Sequence, residues 1–287
     1  MSGPPRPLEL TRLAAEHLAG KGVEDARLDA ELLLAHVLGV RRLDLYLQFE
    51  RPLEPDEVEA YRAVVRRRAA REPLQYITGE AHFRELTLRV DPRVLIPRPE
   101  TEVLVGAVLE WASARGVGGV ALDLGTGSGA IALSLLAEGP FERVVATDVS
   151  DGALELAGQN AARAGVAARL ELRPGPLYEP IGGGEEYDVI VANPPYVPDS
   201  ERDGLMAEVR DHEPEVALFA GPRGLDVIEG IVRGAPAHLV EGGLVALEVG
   251  LGQASAVATL MRSGGFAEPR ILKDLTGRER MVLATYD

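Results

Sequence analysis

Asn193-Pro194-Pro195-Tyr196 closes the apolar run YDVIVA and brings together a side-chain amide, two rigid rings and an aromatic face. Two prolines stop a strand and hold the backbone around them stiff. The Asn193 side-chain oxygen and the Pro194 carbonyl then make two acceptors on a fixed frame. They suit an NH2 group, which has two hydrogens to give. Tyr196 offers a flat face on which a planar amide or base can stack. The plainer reading is a rigid strand-end turn with a packed tyrosine.

A second constellation is Asp123-Leu124-Gly125-Thr126-Gly127-Ser128-Gly129, between an apolar strand and a helix. Glycines there let the backbone turn sharply and approach a ligand with no Cβ in the way. The carboxyl end of a strand is where open α/β sheets bind ligands. The spacing is G-x-G-x-G, whereas a dinucleotide fingerprint is G-x-G-x-x-G. No lysine follows the glycines, which excludes a P-loop. Asp148 ends the next strand, where a carboxylate can accept two hydrogen bonds from a ribose diol. Asp148, Ser150 and Asp151 also precede a helix, so an N-cap role is the alternative. Taken together, loop and acid point to an adenosine-bearing cofactor.

The elements that must position these residues follow from periodicity. Residues 8–71 read as helices: Leu10, Leu13, Ala14, His17 and Leu18 share one face, DAELLLAHVL stops at Gly39, and a third helix starts after Pro55. Over 73–95 the helical period gives way to alternation at Phe83, Leu86, Leu88 and Val90. From about Gly118 strand and helix alternate, which predicts a parallel sheet with crossover helices. The strands are 120–124, 143–148, RLELRP, 187–193 and 243–250, with a helix over 224–239. A last helix (253–263) precedes two short strands, PRILKD and ERMVLATY, joined at Thr276-Gly277.

Composition narrows the class. The chain of 287 residues has a formal charge of −15 and no cysteine. Disulfides, zinc–thiolate sites and Cys nucleophiles are excluded together. Residues 1–80 carry 12 basic and 14 acidic residues, so the acidity belongs to the rest of the chain. Duplex DNA is a poor partner for such a balance. The opening MSGPPRPLEL has no apolar core of signal-peptide length, and no run approaches the ~18 apolar residues of a membrane span. The expectation is a soluble, cytoplasmic protein. His17, His36, His82, His212 and His238 are scattered without metal-ligand spacing, so no metal is expected. The run Arg62, Arg66, Arg67, Arg68, Arg71 reads as a solvated helix face or a docking face for a protein partner.

PLQYITGEAHF, VLIPRPETE, DLGTGSGAIALSL, EYDVIVANPPYVP, HEPEVALFAG and DLTGRERMVLA occur in this order along the chain. In these segments the sequence resembles the bacterial peptide chain release factor glutamine-N5 methyltransferases, class I S-adenosylmethionine-dependent enzymes with an N-P-P-Y motif. The resemblance covers nearly the whole chain. It implies an α/β fold: a Rossmann-like seven-stranded class I methyltransferase sheet with an antiparallel last strand, preceded by a small all-α helical domain. It implies an N-terminal helical substrate-docking domain over 1–75, a linker with a β-hairpin over 76–100, and the methyltransferase domain over 101–287.

By the same resemblance, Gly125, Thr126, Gly127, Ser128 and Gly129 wrap S-adenosyl-L-methionine, Asp148 takes the ribose, and Leu177 and Asn193 also touch the cofactor. Asn193, Pro194, Pro195 and Tyr196 bind the substrate glutamine, and Asn193, Pro194 and Tyr196 act in catalysis. S-adenosyl-L-homocysteine is the product. Asp123 either lies near the methionine amino group or is a simple strand-end acid. Residues 96–101 either close over the cofactor or form a helix entry with Glu100 in its first turn. The family usually has a polar residue where this chain has Pro176, in Gly175-Pro176-Leu177-Tyr178, which leaves only apolar packing by Leu177 beside the adenine. The partners implied are release factors, met by a monomer with no stable nucleic-acid binding and no membrane. The competing readings are an N6-adenine or N2-guanine methyltransferase acting on rRNA or DNA, a non-catalytic cofactor-binding module, and, least favoured by its glycine spacing, a nicotinamide dehydrogenase.

Overall fold

The computed structural model describes residues 5–116 and 119–287; the expected start of the alternating region at Gly118 lies outside them. In chain order the helical elements begin with α1 (Pro7–Ala19), α2 (Ala26–Leu38), α3 (Arg42–Leu47), α4 (Pro55–Ala69) and α5 (Leu74–Thr78). Next come β1 (Glu80–Phe83), β2 (Leu86–Arg89), α6 (Pro99–Arg115), β3 (Val120–Leu124), α7 (Ala130–Glu138), β4 (Arg143–Asp148) and α8 (Asp151–Ala164). Then follow β5 (Leu170–Pro174), β6 (Tyr187–Ala192), α9 (Ala207–His212), α10 (Asp226–Gly234), β7 (Leu239–Glu248), α11 (Ala254–Ser263), β8 (Arg270–Lys273) and β9 (Glu279–Thr285).

The chain divides into two units. The first takes the described residues up to Gly79 together with Met206–His212. Its core is Leu18, Leu33, Leu34, Leu45 and Tyr61, all nearly inaccessible, and the Tyr61 hydroxyl donates to the Ala30 carbonyl at 2.8 Å. Pro55 starts α4 at a position where its missing N–H costs nothing. The Glu54 N–H there donates to the Glu57 carboxylate, and Arg66, Arg67 and Arg68 sit at the negative end of the helix. Two arginines of the run turn inward. Arg68 is buried and donates to Asp29 at 2.7 Å and to Glu208 of α9 at 3.1 Å; Arg71 donates to the same Glu208 at 2.5 and 2.8 Å. Arg62 and Arg66 pair with Glu59, and Arg67 with Glu72. Arg62, Arg66 and Arg67 thus form a solvated helix face, as one reading has it, while Arg68 and Arg71 turn inward.

The second unit holds Glu80–Leu205 and Glu213–Asp287. The β1–β2 hairpin groups with this unit, and the helical unit extends to Gly79 rather than 75 and takes in α9, which the sequence reading does not anticipate. Its seven-stranded sheet has the order β5-β4-β3-β6-β7-β9-β8. β3 to β7 pair in parallel, and β9 runs antiparallel to both β7 and β8. Successive residues of each central strand point to opposite faces. Ala121, Val144, Val189 and Ala246 enter a core with α6, α7 and α8, while Leu122, Val145, Ile190 and Val245 enter one with α10 and α11. Strands buried on both faces are why these runs are mostly apolar.

Two boundaries differ from the sequence reading. The helix expected over 224–239 is α10 followed by a 3-10 turn over Ala235–Ala237, since Pro236 has no N–H to continue the ladder. β7 starts at Leu239, not 243, and its pairing with β6 jumps from Tyr187–Leu239 to Val189–Leu244. The glycines at 242 and 243 allow that irregular stretch, with Gly242 at φ +74°.

Candidate active site

β3 and β6 are neighbours in the sheet although β4 and β5 separate them in sequence. This is the place where the strand order reverses, and a crevice opens at the carboxyl ends of the two strands. A cavity of about 410 Å³ lies there, a volume ordinary for a small-molecule site. Its wall includes Gly125–Ser128 from the end of β3, Asp148 from the end of β4, and Asn193–Pro195 from the end of β6. Pro176, Leu177, Asp226 and Thr101 complete much of it.

The glycine loop is held from behind. The N–H groups of Gly125 and Thr126 both donate to the Thr147 carbonyl, at 2.9 and 3.0 Å. Asn160 of α8 donates to the Ser128 carbonyl at 2.8 Å and exchanges two hydrogen bonds with the Arg89 backbone. Gly125 and Gly127 have φ of +75° and +55°, and a Cβ on either would meet nothing within 4 Å. Both therefore combine a left-handed backbone with open space toward the cavity, which is a cradle a ligand can press against. Gly129 differs. It is the N-cap of α7 and lies off the cavity wall, where a Cβ would come 3.1 Å from Leu133.

Asp148 accepts the Gly127 N–H and the Ser150 N–H, each at 2.9 Å. Its carboxylate lies on the wall of the cavity and keeps acceptor capacity beyond those backbone donors. Burial raises its pKa, against the pull of those backbone donors. Ser150, not Asp148, caps α8, accepting the Ala153 N–H at 3.2 Å. Asp123 is fully buried and off the cavity wall. Its Oδ2 accepts the Thr126 hydroxyl at 2.7 Å and the Ala132 N–H at 3.2 Å. It thus does for α7 what a capping side chain would, since Gly129 has none.

Leu177 has φ +46°, rare for a leucine, and its carbonyl accepts the Thr147 hydroxyl at 3.3 Å. It packs so close to α10 that a Cβ on Gly230 would fall 2.7 Å from its Cδ1. The loop before it thus offers Pro176 and Leu177 as apolar surface, and Asp226 joins Asp148 as a second acid on the cavity wall.

Asn193 and Pro194 line the cavity, while Tyr196 does not. The Tyr196 hydroxyl donates to Glu248 Oε1 at 3.2 Å and accepts from Arg280 at 2.8 Å. The Arg280 guanidinium also lies 5.1 Å from its ring centroid, and the Tyr196 carbonyl accepts from Gln253 at 2.9 Å. Burial holds the Tyr196 phenol protonated well above the usual range. Residues 96–101 enter α6, with Glu100 in its first turn as one of the two readings has it. Arg98 donates to the buried Glu213 at 2.6 Å, which joins this segment to HEPEV.

The sequence reading does not single out Glu248, Arg280 or Glu213 around the site, and it marks Thr101 only as the last residue of the segment 96–101. Glu248 sits in GLVALEVG, and a charge at the end of an otherwise apolar strand is the signal that could have found it. Among the described residues, no group of three His, Asp or Glu side chains is arranged for a metal ion, and no helix is long and apolar enough to cross a membrane.

A family model described as the PrmC N-terminal domain matches residues 9–79, and one described as the methyltransferase small domain matches 101–209. The release factor glutamine methyltransferase of Geobacter sulfurreducens is 45% identical over 266 residues, covering 93% of this chain and 92% of that protein. That of Cereibacter sphaeroides is 43% identical over 279 residues, covering 97% and 98%. Among solved structures, a T. thermophilus 16S rRNA methyltransferase in complex with AdoMet and guanosine gives a TM-score of 0.55 at 21% identity, over 72% of this chain and 50% of that one. A Pyrococcus furiosus methyltransferase gives 0.51 at 21% identity, over 70% and 89%. At such identities the two structures speak for the fold alone.

Proposed function

Since the chain belongs to the release factor glutamine methyltransferase family, an S-adenosylmethionine-dependent class of enzyme, we propose that it methylates the side-chain nitrogen, N5, of the Gln in the Gly-Gly-Gln loop of peptide chain release factors. The observation that carries this reading is the single cavity bounded by the glycine cradle on one side and by Asn193 and Pro194 on the other. The residues fit the cofactor. Gly125 and Gly127 leave room for it, Asp148 keeps acceptors for a ribose diol, and Leu177 with Pro176 gives an apolar wall for a purine.

When bound, the cofactor supplies an electrophilic methyl on a sulfonium and leaves as S-adenosyl-L-homocysteine. The rest falls to the protein. An amide nitrogen is a poor nucleophile because its lone pair is shared with the carbonyl. Asn193 Oδ1 and the Pro194 carbonyl take both hydrogens of the glutamine NH2 and so aim its lone pair at the methyl. Orientation of this kind supplies several kcal/mol of the ~7–11 that effective molarity offers. As the N–C bond forms and the S–C bond breaks, positive charge grows on nitrogen, and the two acceptors favour that charge. One N–H proton then passes to water, which restores the neutral amide. Tyr196, whose hydroxyl is held by Glu248 and Arg280, acts in this reading by bracing the turn.

The enzyme works in this reading as a cytoplasmic monomer on a protein substrate, and its charge of −15 agrees with that rather than with stable nucleic-acid binding. The test is methyl transfer from labelled S-adenosylmethionine to a purified release factor carrying Gln or Ala in its Gly-Gly-Gln loop. Label on the Gln form alone is expected. Asn193→Ala is expected to end turnover while the cofactor still binds; wild-type turnover in that variant overturns the role of Asn193.

A further inference from the structure

The orientation of the Asn193 amide follows from counting donors. Glu248 ends β7 and is 0% exposed. Burial raises its pKa, while the Thr101 hydroxyl, Arg280 and the Tyr196 hydroxyl pull it back toward the carboxylate, and as a carboxylate it can only accept. Its Oε2 lies 2.6 Å from Thr101 Oγ1, so the one hydrogen of that hydroxyl is spent on Glu248. Its Oε1 takes the Tyr196 hydroxyl, with Arg280 3.8 Å away. What Thr101 Oγ1 has left is acceptor capacity, and Asn193 Nδ2 fills it at 3.0 Å. The NH2 of Asn193 is committed to Thr101, and Oδ1 is the branch of the amide that remains for a ligand.

An asparagine amide without such a partner has two near-equivalent settings. In the wrong one it presents NH2 to an incoming NH2, donor against donor. We propose that Thr101 and Glu248 are a positioning relay that locks Asn193 with its oxygen toward the methyl acceptor, and so makes the site specific for nitrogens bearing two hydrogens. The proposal rests on the reading of Asn193 and Pro194 as the acceptors. Neither Thr101 nor Glu248 reacts; both act through Asn193.

The test uses the full-length protein, labelled S-adenosylmethionine and a purified release factor. Thr101→Val keeps the shape and removes the hydroxyl. Its kcat is expected to fall about tenfold or more, with KM for the release factor and cofactor affinity by calorimetry each within about threefold. Thr101→Ser restores the hydroxyl and is expected to recover kcat to within about threefold of wild type. Glu248→Gln can donate to Thr101 and turn its hydrogen toward Asn193, so kcat is expected to fall here as well.

Wild-type kcat in Thr101→Val overturns the relay. Equal impairment in Thr101→Val and Thr101→Ser overturns it too, since lost packing rather than a lost hydroxyl would then be the cause. If Thr101→Val does not fold, full kcat in Glu248→Gln does the same. The Asn193→Ala variant separates the two levels. An inactive Asn193→Ala beside a fully active Thr101→Val removes the relay alone, and an active Asn193→Ala removes the reading of Asn193 with it.

Discussion

Asp123 Oδ2 lies 3.2 Å from the Ala132 N–H, so the last turn of a strand caps the first turn of the helix that follows it. The carboxylate does this with no exposure to water and, among the described residues, with no partner for Oδ1. Burial, opposed by the Thr126 and Ala132 donors and assisted by the nearby Asp148, pushes its pKa up to about 7 from an ordinary 3.8. A raised carboxyl pKa means that the folded state binds the extra proton. The stability it contributes is whole below about pH 4 and is lost as pH rises through about 7. Asp123→Asn removes the titration. The stability of this variant relative to wild type is expected to increase between pH 5 and pH 8, read as paired thermal midpoints. An offset that stays constant with pH would contradict the assignment.

Gly127 combines φ +55° with empty space beside its Cα. Gly127→Ala is expected to cost about 1 kcal/mol of stability from the left-handed backbone. The larger effect falls on the ligand, because the new methyl occupies the cradle. Affinity for S-adenosylmethionine is expected to drop about tenfold or more, about 1.4 kcal/mol or above. Calorimetric titration decides it, and an unchanged dissociation constant would remove Gly127 from the cofactor wall.

Arg68 is the partner of two carboxylates that are themselves nearly buried. Arg68→Ala strands Asp29, while Glu208 keeps Arg71. Leaving one buried charge uncompensated costs about 3 kcal/mol or more. Arg62 pairs with Glu59 at 3.7 Å in the open, and Arg62→Ala is expected to cost less than about 0.5 kcal/mol. Urea unfolding of the two full-length variants separates them, and equal midpoints would sink the distinction.

Much of the sheet is legible in the residues because its strands are buried on both faces. VALDL, RVVATD and YDVIVA have no other economical reading, and the glycines at 125 and 127 and the prolines at 194 and 195 punctuate their ends. What pattern cannot show is pairing at long range. Thr101 meets Glu248 across 147 residues, and Arg68 meets Glu208 across 140. Nothing in either neighbourhood marks the partner. Short amphipathic pieces such as α3 and α9 are hidden for another reason: six residues give less than two turns, too few for a period to register. Gly129 is a milder case. Its place in the motif suggests ligand contact, while its neighbours Leu133 and Ala157 explain the missing side chain by packing.

β9 sits between β7 and β8 in the sheet yet is made after every other strand of it. A ribosome that has delivered Lys273 has supplied β8 with no neighbour to pair with. It has also supplied Glu248 and Tyr196 without Arg280, the cation that stands beside both. Until Glu279–Thr285 emerges and threads between its two neighbours, the carboxyl behind the N-P-P-Y turn lacks the cation that draws it toward its charged form. The nascent chain can collapse early, but the N-P-P-Y turn acquires its full set of neighbours only with the last strand of the sheet.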